Sequence, residues 1–358
     1  MSLNKHLLFL TDGIIPSKRA GALHVQNLLP HLRNNTKQVT LLSQSDRVSQ
    51  SSEDGHFTVK IPSYKGKLIL LLLRMRGQIR QIKPEIIYSR YVLLPLINRN
   101  IPYLIELHDD AWNKGLLYEM AFRFANGSNS CLGFVAITNK IKEDFKAKFP
   151  DSKKPIVVIP DAANVPSNQY APSYISRAKL NIAYVGSFHK GKGIEVILPL
   201  AEAMPEHNFI LIGESESYVD ELISKGGYGN LLQKGFIAQK DIWREMIDID
   251  ICLLPNQREV LTGKKSNIGK YTSPLKMFEY MAYSKPIIAS DLEVLREVLD
   301  EEIAAFAACD NVNEWISAII LLTDVGKRED LGRNANKKLI ENYTWEKRAE
   351  RIIHFLNE

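Results

Sequence analysis

Residues 273–290 read SPLKMFEYMAYSKPIIAS, which places a helix start, a short helix and a buried strand in close succession. Ser273 followed by Pro274 predicts a helix beginning, with the serine as N-cap and the proline as the first helical residue. The N–H groups of Leu275 and Lys276 would then point out of the helix end, where an anion is favoured. The final letters, PIIAS, are typical of a strand buried in a parallel sheet.

Glu279 lies four residues after Leu275, one turn into the predicted helix. Its carboxylate could accept hydrogen bonds from vicinal hydroxyls such as those of a ribose. A glutamate near a helix N-terminus is also favourable because of the helix dipole alone, and Phe278 and Met281 fit an ordinary core face. Both interpretations stay open at this point.

Strand-like apolar runs alternate with helical periodicity on both sides of this stretch. Strands are predicted at 7–11, 39–43, 57–61, 86–88, 103–107 and 133–137, then at 181–185, 208–212, 231–234, 249–254 and 286–290. Helices are predicted from 17–21 to 32 and near 66–83, 114–126, 139–149, 193–204, 216–225, 240–247, 274–283, 293–299, 312–324, 327–341 and 345–356. This alternation indicates α/β domains, and the turn-rich residues 161–173 are the best linker candidate.

The composition excludes several classes of protein. The 358 residues are 45% hydrophobic and 24% charged, as expected of about two globular domains. Three scattered cysteines form no CxxC pair, which argues against a disulfide framework or a structural zinc site. The apolar stretch before Asp12 is too short for a signal peptide, and the longest apolar run, Leu68 to Leu73, is too short to span a bilayer. We therefore expect a cytoplasmic protein, free or on a membrane surface.

Charge is distributed unevenly along the chain. Residues 1–160 carry 23 Lys and Arg against 12 Asp and Glu, whereas residues 161–358 carry 23 against 29. A basic first half predicts an anionic partner. Residues 64–83 form a leucine-rich segment interleaved with arginine and lysine, which could lie on anionic lipid or be a core helix with a solvated rim.

Residues 186–193 read GSFHKGKG and connect a predicted strand to a helix. A glycine-rich turn of this kind exposes backbone N–H groups to a phosphate, and Lys192 would add a positive charge. Gly193 stands where a P-loop needs a hydroxyl for Mg²⁺, so a P-loop NTPase is disfavoured. A tight turn with solvated lysines is the plain alternative.

Two further segments of the first half follow strands or precede a helix. His108 ends a strand at the carboxyl edge of the sheet, where open α/β sheets bind ligands, although a lone histidine is more often structural. Residues 17–24 read SKRAGALH, and Lys18, Arg19, Gly21 and Ala22 could hold an acceptor phosphate or simply begin a helix.

Taken together, these motifs resemble the GT-B retaining glycosyltransferases of the "group 1" family, which is glycogen-synthase-like and includes bacterial polysaccharide and glycolipid enzymes. The resemblance implies an α/β GT-B fold: two Rossmann-like α/β/α domains whose parallel sheets face each other across a cleft. It implies a first domain, 1–165 with the terminal helix 344–358 crossing back to it, that binds the acceptor, and a second, 166–343, that binds the donor.

The resemblance also assigns roles to single positions. It implies catalytic roles for His108, Lys192 and Glu279, with His108 at the transferred sugar and Glu279 at the ribose. The implied donor site comprises Gly186, Ser187, Glu214, Phe236, Ile237, Ser273, Pro274, Leu275, Lys276 and Glu279, with the base near Glu214 and the turn at 235–237. The implied acceptor site comprises Lys18, Arg19, Gly21 and Ala22.

This chain departs from the family pattern at two positions. Tyr271 stands where the family commonly has a glutamate eight residues before Glu279, and Ser187 stands where an arginine often follows the first glycine. Lys192, with Lys276, is left as the main cationic clamp on the leaving diphosphate.

We therefore expect a metal-independent retaining hexosyltransferase in bacterial-type cell-surface polysaccharide or glycolipid synthesis. Its partners would be a nucleotide-sugar donor, a saccharide or lipid-linked acceptor and an anionic membrane surface met through the basic first domain, at the inner face of the membrane; no cofactor, metal or nucleic acid is expected. Asp248-Ile-Asp250 is expected to be a turn before a strand, not a metal motif. The alternatives are a catalytically impaired accessory subunit and a nucleotide-sugar epimerase or hydrolase. The donor nucleotide, the sugar, the linkage and the oligomeric state are not encoded in any motif found.

Overall fold

The computed structural model describes residues 2–45, 55–60, 67–166, 170–262, 266–267 and 269–358. The chain forms two compact units, Met1–Asp161 with Trp345–Glu358 (unit 1) and Ala162–Thr344 (unit 2). The sequence places the corresponding changes at 165/166 and 343/344. Ile61, residues 64–66 of the basic segment and residues 167–169 of the predicted linker lie outside the described part of the chain.

Unit 1 begins with alternating strands and helices. These are β1 (Leu3–Ile14), α1 (Ala20–Asn34), β2 (Thr36–Ser45), β3 (His56–Lys60), α2 (Lys67–Ile82), β4 (Ile86–Ser89), β5 (Tyr103–Leu107), α3 (Leu116–Gly127), β6 (Cys131–Ala136), α4 (Asn139–Lys148) and β7 (Ile156–Val158). Among the described residues, the sheet has the order β3-β2-β1-β4-β5-β6-β7, and its neighbouring strands are all parallel.

The central strands of unit 1 are apolar because helices cover both faces of the sheet. Leu7 to Leu10 in β1 are fully buried, as are Ile86 to Tyr88 in β4. Parallel strands need crossover connections, and these are right-handed in nearly all proteins. The chain moves in opposite directions across the sheet through α1 and α2, so these helices lie on opposite faces. α3 moves in the same direction as α2 and shares its face.

Unit 2 repeats the architecture. Its elements are β8 (Asn181–Val185), α5 (Ile194–Ala203), β9 (Asn208–Ile212), α6 (Ser217–Gly226), β10 (Leu231–Lys234), α7 (Ile242–Asp248), β11 (Ile251–Leu254), β12 (Leu261–Thr262), β13 (Ser266–Asn267), α8 (Leu275–Ala282), β14 (Ile287–Ser290), α9 (Glu293–Arg296), β15 (Ala304–Ala307), α10 (Val312–Leu321) and α11 (Val325–Asn342). The described strands of the main sheet follow the order β10-β9-β8-β11-β14-β15 and are parallel, while β12 and β13 form a small antiparallel ladder.

The last helix, α12 (Trp345–Asn357), returns the chain to unit 1 and packs against α1. The predicted apolar face of this helix, Trp345, Ala349, Ile352, Ile353 and Leu356, is buried. The rings of Trp345 and His24 meet edge to face at a centroid distance of 5.0 Å. The predicted return of the terminal helix to the first domain is therefore confirmed.

The α/β prediction with two parallel sheets is confirmed, and the differences concern single elements. β1 is longer than the predicted 7–11 because Leu3 to His6 also pairs with β2. β7 and β15 were not predicted; β7 has only three residues, and β15 reads AAFA, which carries no clear strand signal. Of the segment predicted as a turn before a strand, Asp248 is the last residue of α7, and Ile249 and Asp250 connect it to β11, which begins at Ile251. Within the described residues, we find no helix with both the length and the apolar character needed to cross a membrane.

Candidate functional site

The strand orders place a topological switch point in each unit. Strands β1 and β4 in unit 1, and β8 and β11 in unit 2, are neighbours whose crossover connections lead in opposite directions. Open α/β sheets bind ligands in the crevice beyond the carboxyl ends of such strands. The predicted site residues after β8 and in α8, and those after β1, lie at these two edges.

The glycine-rich turn of unit 2 fits closely against the loop that follows β11. A Cβ at Gly193 would lie 2.2 Å from the Pro255 carbonyl oxygen, and one at Gly191 would lie 2.2 Å from the Glu259 carbonyl oxygen. Both glycines have positive φ, 84° for Gly191 and 103° for Gly193. Only glycine satisfies both the conformation and the space, so the turn is held in one shape at the start of α5.

The helix at the centre of the SPLKMFEYMA segment begins one residue later than predicted. Pro274 is the N-cap, with an extended ψ of 121°, and its carbonyl accepts a hydrogen bond from the Met277 N–H at 2.9 Å. The predictions of Ser273 as N-cap and Pro274 as first helical residue are therefore wrong. The proline ring fixes φ but not ψ, so Pro274 can stand outside the helix. Leu275 and Lys276 occupy the first helical positions, where N–H groups have no intrahelical acceptor.

The side chain of Lys276 carries the most unusual group of unit 2. Its Nζ is buried, and within the described residues it has no hydrogen-bond partner. It lies 3.7 Å from the centroid of the Tyr184 ring and 3.5 Å from the position that a Cβ at Gly186 would take. Burial and the neighbouring Lys192 ammonium hold the pKa of Lys276 well below its ordinary value, although Glu279 opposes them. Burial also lowers the pKa of Lys192.

Glu279 faces the same region from one turn further along α8. Its Oε1 accepts a hydrogen bond from the Gln239 side-chain amide at 2.9 Å. Burial raises the pKa of Glu279, while Gln239 and Lys276 act in the opposite direction. Phe278 and Met281, three residues apart on the helix, are fully buried in the core. The helix thus has both of the predicted characters, a core face and a polar face with Lys276 and Glu279.

The other predicted donor-site residues surround this turn with different degrees of exposure. The Ser187 carbonyl accepts a hydrogen bond from the Tyr184 hydroxyl at 2.9 Å. The Glu214 backbone carbonyl accepts one from the Phe188 N–H at 3.1 Å, and the residue as a whole is exposed. Phe236 is 44% exposed, an unusual state for a phenylalanine, and Ile237 is half-buried.

Tyr271, which replaces the glutamate expected from the family pattern, is 1% exposed. It ends the short 3-10 helix Gly269–Tyr271. The Lys270 Nζ lies 4.6 Å from the centroid of its ring. The aromatic side chain is therefore part of the packed interior, and a carboxylate could not take its place without a new partner.

Unit 1 has a cleft of about 670 Å³ at its switch point. Its lining includes Arg19, Gly21 and Ala22 from the predicted acceptor segment, while Lys18 is not part of the lining. Thr11 to Ile14, Pro16, Ser17, Gln44 and Arg90 complete it. The Arg90 guanidinium donates a hydrogen bond to the Gly21 carbonyl, which ties the start of α1 to the end of β4.

Beside the cleft, a buried carboxylate gathers several charged and polar side chains. Glu106, 1% exposed, accepts hydrogen bonds at Oε2 from the Tyr88 hydroxyl and from Arg348 Nη2, the latter at 2.8 Å. Its Oε1 contacts His108 Nε2 and lies 3.3 Å from Arg90 Nε. Burial opposes ionisation of Glu106, but the surrounding positive and polar groups prevail and hold its pKa well below the usual range.

His24 continues this network towards Asp161. Its Nδ1 lies 2.8 Å from Asp161 Oδ1, and its Nε2 lies 3.1 Å from Glu106 Oε1. Arg348 Nη1 also donates to the carbonyls of Ile159 and Pro160. Residues far apart in the sequence are thus held together around one carboxylate, which we call the Glu106 cluster: Tyr88, Arg90, His24, Glu106, His108, Asp161 and Arg348.

The spacing within the Glu106 cluster raises the question of a metal ion. Donor atoms of His24, Glu106 and His108 all lie within 4.8 Å of one another. However, the guanidinium of Arg90 approaches both Glu106 Oε1 and His108 Nε2, the latter at 3.0 Å. A cation of the protein already neutralises this carboxylate, so the cluster does not fit a metal site.

Most of the Glu106 cluster was missed by the sequence interpretation, which selected only His108. A signal was present, because Glu106 lies in β5 and His108 follows the strand end two residues later, a spacing that places two residues of an extended chain on the same face. Glu106 is also a charged residue in an otherwise apolar run, YLIEL. Arg348, by contrast, lies on the predicted apolar face of α12 and looks like a breach of its pattern.

Comparison with known proteins yields relatives of the same fold. A sucrose-phosphate synthase from Thermosynechococcus elongatus is 16% identical, with a TM-score of 0.76 over 99% of this chain and 98% of that one. HepE from Anabaena, solved with UDP and glucose, is 14% identical, with a TM-score of 0.72 over 98% and 99% of the two chains. At these identities the likeness establishes the GT-B fold.

A 41.2 kDa protein in the cps region of Klebsiella pneumoniae is 27% identical over 129 residues, which are 36% of this chain. The chain spans about a third of that curated relative, 32% of its length. Two family models match consecutive parts of the sequence. Residues 21–165 match Glycosyltransferase Family 4, and residues 179–325 match Glycosyl transferases group 1. With both units matched and the GT-B fold in place, the chain belongs to the group 1 glycosyltransferases.

Proposed function

We propose that this protein transfers a hexosyl group from a nucleoside-diphosphate sugar to a saccharide or lipid-linked acceptor, with retention at the anomeric carbon and without a metal ion. The observation that carries the proposal is the buried Lys276 Nζ, which has no hydrogen-bond partner among the described residues and lies near Lys192. A buried polar group without a hydrogen-bond partner is costly. A diphosphate would supply the missing acceptors and charge.

The donor fits the order of groups along the edge of unit 2. The diphosphate is assigned to the turn at Gly186 and Ser187, to Lys192, and to the α8 start at Ser273 to Lys276. Glu279, whose Oε1 accepts a hydrogen bond from Gln239 in the free protein, is assigned to the ribose hydroxyls. The base is assigned to the segment around Glu214, Phe236 and Ile237, where the exposed Phe236 ring could stack on it. The UDP in the Anabaena HepE structure favours uridine among the possible bases.

In the proposed reaction, negative charge develops on the departing diphosphate, next to the groups that can stabilise it. The bond between the anomeric carbon and the diphosphate oxygen breaks, and the acceptor oxygen bonds to that carbon on the same face. The acceptor hydroxyl proton passes to the departing phosphate oxygen. Lys192, Lys276 and the α8 N–H groups stabilise the growing negative charge. His108 is proposed to contact the transferred sugar.

The acceptor is assigned to the cleft of unit 1. Arg19 and Arg90 line this cleft together with one acidic residue, Asp12, which leaves an excess of positive charge. Gly21 and Ala22 let an acceptor approach the start of α1 closely. An acceptor with a phosphate near the reacting hydroxyl, such as a lipid-linked saccharide, matches this charge. The likeness to a protein in the cps region of Klebsiella pneumoniae supports a role in cell-surface polysaccharide synthesis.

A membrane surface is the proposed location of such an acceptor. Exposed apolar side chains occupy the outward faces of α2 and α3, which share one face of the unit 1 sheet. Ile69 and Leu73 of α2 are 67% and 58% exposed, and Leu116 and Phe124 of α3 are 75% and 49% exposed. Arginines 76 and 80 of α2 and 123 of α3 are exposed as well. Apolar residues flanked by cations favour the surface of anionic lipid, which would hold the protein at the inner face of the membrane.

Binding of nucleoside diphosphates tests the donor site directly. Thermal unfolding with UDP, GDP, ADP or dTDP, with and without Mg²⁺, should show one nucleotide raising the melting temperature in the absence of the metal, because it binds the native state. Lys192→Ala and Glu279→Ala should weaken this shift. Lys190→Ala is the matched control, since Lys190 is an exposed lysine of the same turn.

Product analysis separates the alternatives. Incubation with the sugar nucleotide and no acceptor should leave it intact, whereas epimerisation or release of free sugar would favour the epimerase or hydrolase interpretation. Nucleotide binding without transfer to any acceptor would favour an accessory subunit, for which the buried Tyr271 in place of a glutamate is the supporting observation. Unchanged binding in both Lys192→Ala and Glu279→Ala would contradict the assigned donor site.

A further inference from the structure

The Glu106 cluster has two sides with different partners. On the Oε2 side, Tyr88 and Arg348 bind the carboxylate, and Arg348 also holds the carbonyls of Ile159 and Pro160. These contacts are buried and structural. On the Oε1 side, His108 and Arg90 contact it, and His24 Nε2 lies 3.1 Å away. Arg90 lines the unit 1 cleft, and the His108 side chain is 27% exposed. The Glu106 carboxylate therefore connects the buried Tyr88 and Arg348 to side chains at the carboxyl edge of the sheet.

From this arrangement we infer that Glu106 is a positioning residue for sugar transfer: it fixes the proton of His108 on Nε2 and so leaves Nδ1 as a hydrogen-bond acceptor for a substrate hydroxyl. The role in transfer rests on the proposed function, whereas the state of His108 follows from the cluster alone. Sequence motifs select His108 but give Glu106 no role.

The assignment follows from counting donors and acceptors around Nε2. A carboxylate has no proton to give at neutral pH, so its close contact with His108 requires the hydrogen to be on Nε2. The alternative places the hydrogen on Nδ1 and leaves the Nε2 lone pair for Arg90 Nε at 3.0 Å. In that case two electron pairs would face each other between His108 and Glu106. The N–H of Arg90 Nε points at His108 Nε2, so a proton on Nε2 requires this guanidinium to turn towards Glu106 Oε1, which lies 3.3 Å from the same Nε.

The charged groups around His108 also keep the ring neutral. Burial and the Arg90 guanidinium lower the pKa of His108 to about 4, with Glu106 opposing and His24 adding to the decrease. A neutral imidazole carries a proton on only one of its two nitrogens. With the proton on Nε2, Nδ1 of His108 can accept a hydrogen bond but cannot donate one, so its partner in a substrate must be a donor such as a hydroxyl.

The substitution Glu106→Gln should reverse the tautomer. The new side-chain amide must present its NH₂ either to Arg348 or to His108. A guanidinium that accepts no hydrogen bond lies on each side, Arg348 at Oε2 and Arg90 at Oε1, but the Arg348 contact is the shorter one at 2.8 Å against 3.3 Å. The NH₂ should therefore take the Oε1 side, where His108 Nε2 can become an acceptor by shifting its proton to Nδ1. The variant keeps the shape of the side chain while changing the atom that His108 presents to the substrate.

The test combines spectroscopy with kinetics on the full-length chain. The ¹⁵N chemical shifts of the His108 ring, assigned by comparison with His108→Gln, should show a proton on Nε2 in the wild type and on Nδ1 in Glu106→Gln. Transfer turnover of Glu106→Gln should fall roughly 100-fold, as for a displaced reacting group, while KM for the sugar nucleotide stays within about twofold because ground-state donor binding is unaffected.

Tyr88→Phe is the matched control, because it removes a donor from the structural Oε2 side only. It should leave the His108 tautomer unchanged. Three results would each overturn the inference. The first is a tautomer change in Tyr88→Phe equal to that in Glu106→Gln, the second is a proton on Nδ1 of His108 in the wild type, and the third is full turnover in Glu106→Gln. If Glu106→Gln does not fold, the wild-type spectrum still decides the tautomer. If the wild type transfers no sugar but shows the Nε2 proton, the proposed function fails and the positioning of His108 stands.

Discussion

The two units treat buried charge in opposite ways. In unit 1 the Glu106 carboxylate is surrounded by Arg348, Arg90, Tyr88 and two histidines, so its charge is matched within the protein. In unit 2 the Lys276 ammonium is buried, near a second lysine and without a hydrogen-bond partner among the described residues. A carboxylate whose hydrogen bonds are all made within the protein keeps its neighbouring side chains in fixed positions. A buried amine without a hydrogen-bond partner is stabilised when an anionic ligand binds beside it. The Glu106 cluster therefore suits the positioning of side chains, and Lys276 suits the binding of an anion.

Removing Glu106 should have the largest effect on this contrast. Glu106→Ala leaves the buried Arg348 without its counter-charge, and breaking a buried pair in this way costs about 3–5 kcal/mol. Urea unfolding should show this loss of free energy. The control is Glu119→Ala, which removes a half-buried partner of the exposed Arg123 and of Lys148 at the surface and should cost much less stability. Similar losses in both variants would show that the Glu106 cluster is not a special anchor.

Removing the Lys276 amine should not destabilise the ligand-free protein, in contrast to removing Glu106. Lys276→Met removes a buried nitrogen that has no hydrogen-bond partner among the described residues but keeps an apolar stem, so the ligand-free protein should be as stable as the wild type or more stable. Affinity for the nucleoside diphosphate should fall roughly 10- to 100-fold, the value of a hydrogen bond to a charged group. Calorimetric titration measures the affinity and thermal unfolding the stability. A destabilised variant with intact affinity would contradict the comparison.

Acidification should weaken unit 1 in a defined range of pH. The pKa of His108 is lowered to about 4 in the folded protein, so the unfolded chain binds a proton near its ordinary value of 6.5 before the folded one does. The stabilising contribution is complete above pH 6.5 and is lost as pH falls towards 4. The midpoints of denaturant unfolding should be measured between pH 7 and 4 for the wild type and for His108→Gln. The wild type should have the higher midpoint at neutral pH, and the difference between the two proteins should shrink as the pH falls.

Donor binding should take up a proton, the smallest of the expected effects. The pKa of Lys276 is lowered when no anion is present, and a diphosphate beside it would raise that pKa again. At a pH between the two values, binding therefore draws up to about one proton from the buffer. Titrations of the nucleotide in buffers of different ionisation enthalpy measure this number. Lys276→Met should show less uptake, and release of protons would contradict the sign.

Sequence alone could predict the fold well because both halves of the chain show the same alternation of apolar strands and helices. Apolar strands buried on both faces and alternating with helices give the same prediction in both units, and short elements such as Ile156–Val158 contribute too little pattern to be seen. The helix start at Pro274 was placed one residue early because proline tolerates both the cap and the first helical position. These differences leave the edge of the sheet where it was expected.

The candidate site was harder to predict than the fold. Glycines and lysines at 186–193 and the segment 273–279 were visible as motifs, but burial of Lys276 Nζ depends on Tyr184 and Gly186, which come from another strand end. The Glu106 cluster joins β4, β5, α1 and α12, and no local spacing connects Arg348 with Glu106. Charges brought together by topology leave no periodicity in the sequence.

The return of residues 345–358 to unit 1 also sets an order of events during synthesis. All of unit 2, Ala162–Thr344, is synthesised before Arg348 is added to the chain. Until then Glu106 and the carbonyls of Ile159 and Pro160 lack the guanidinium that holds them in the finished protein. Unit 1 therefore cannot complete the Glu106 cluster until the residues that follow unit 2 have been added, although most of its own sheet is made first.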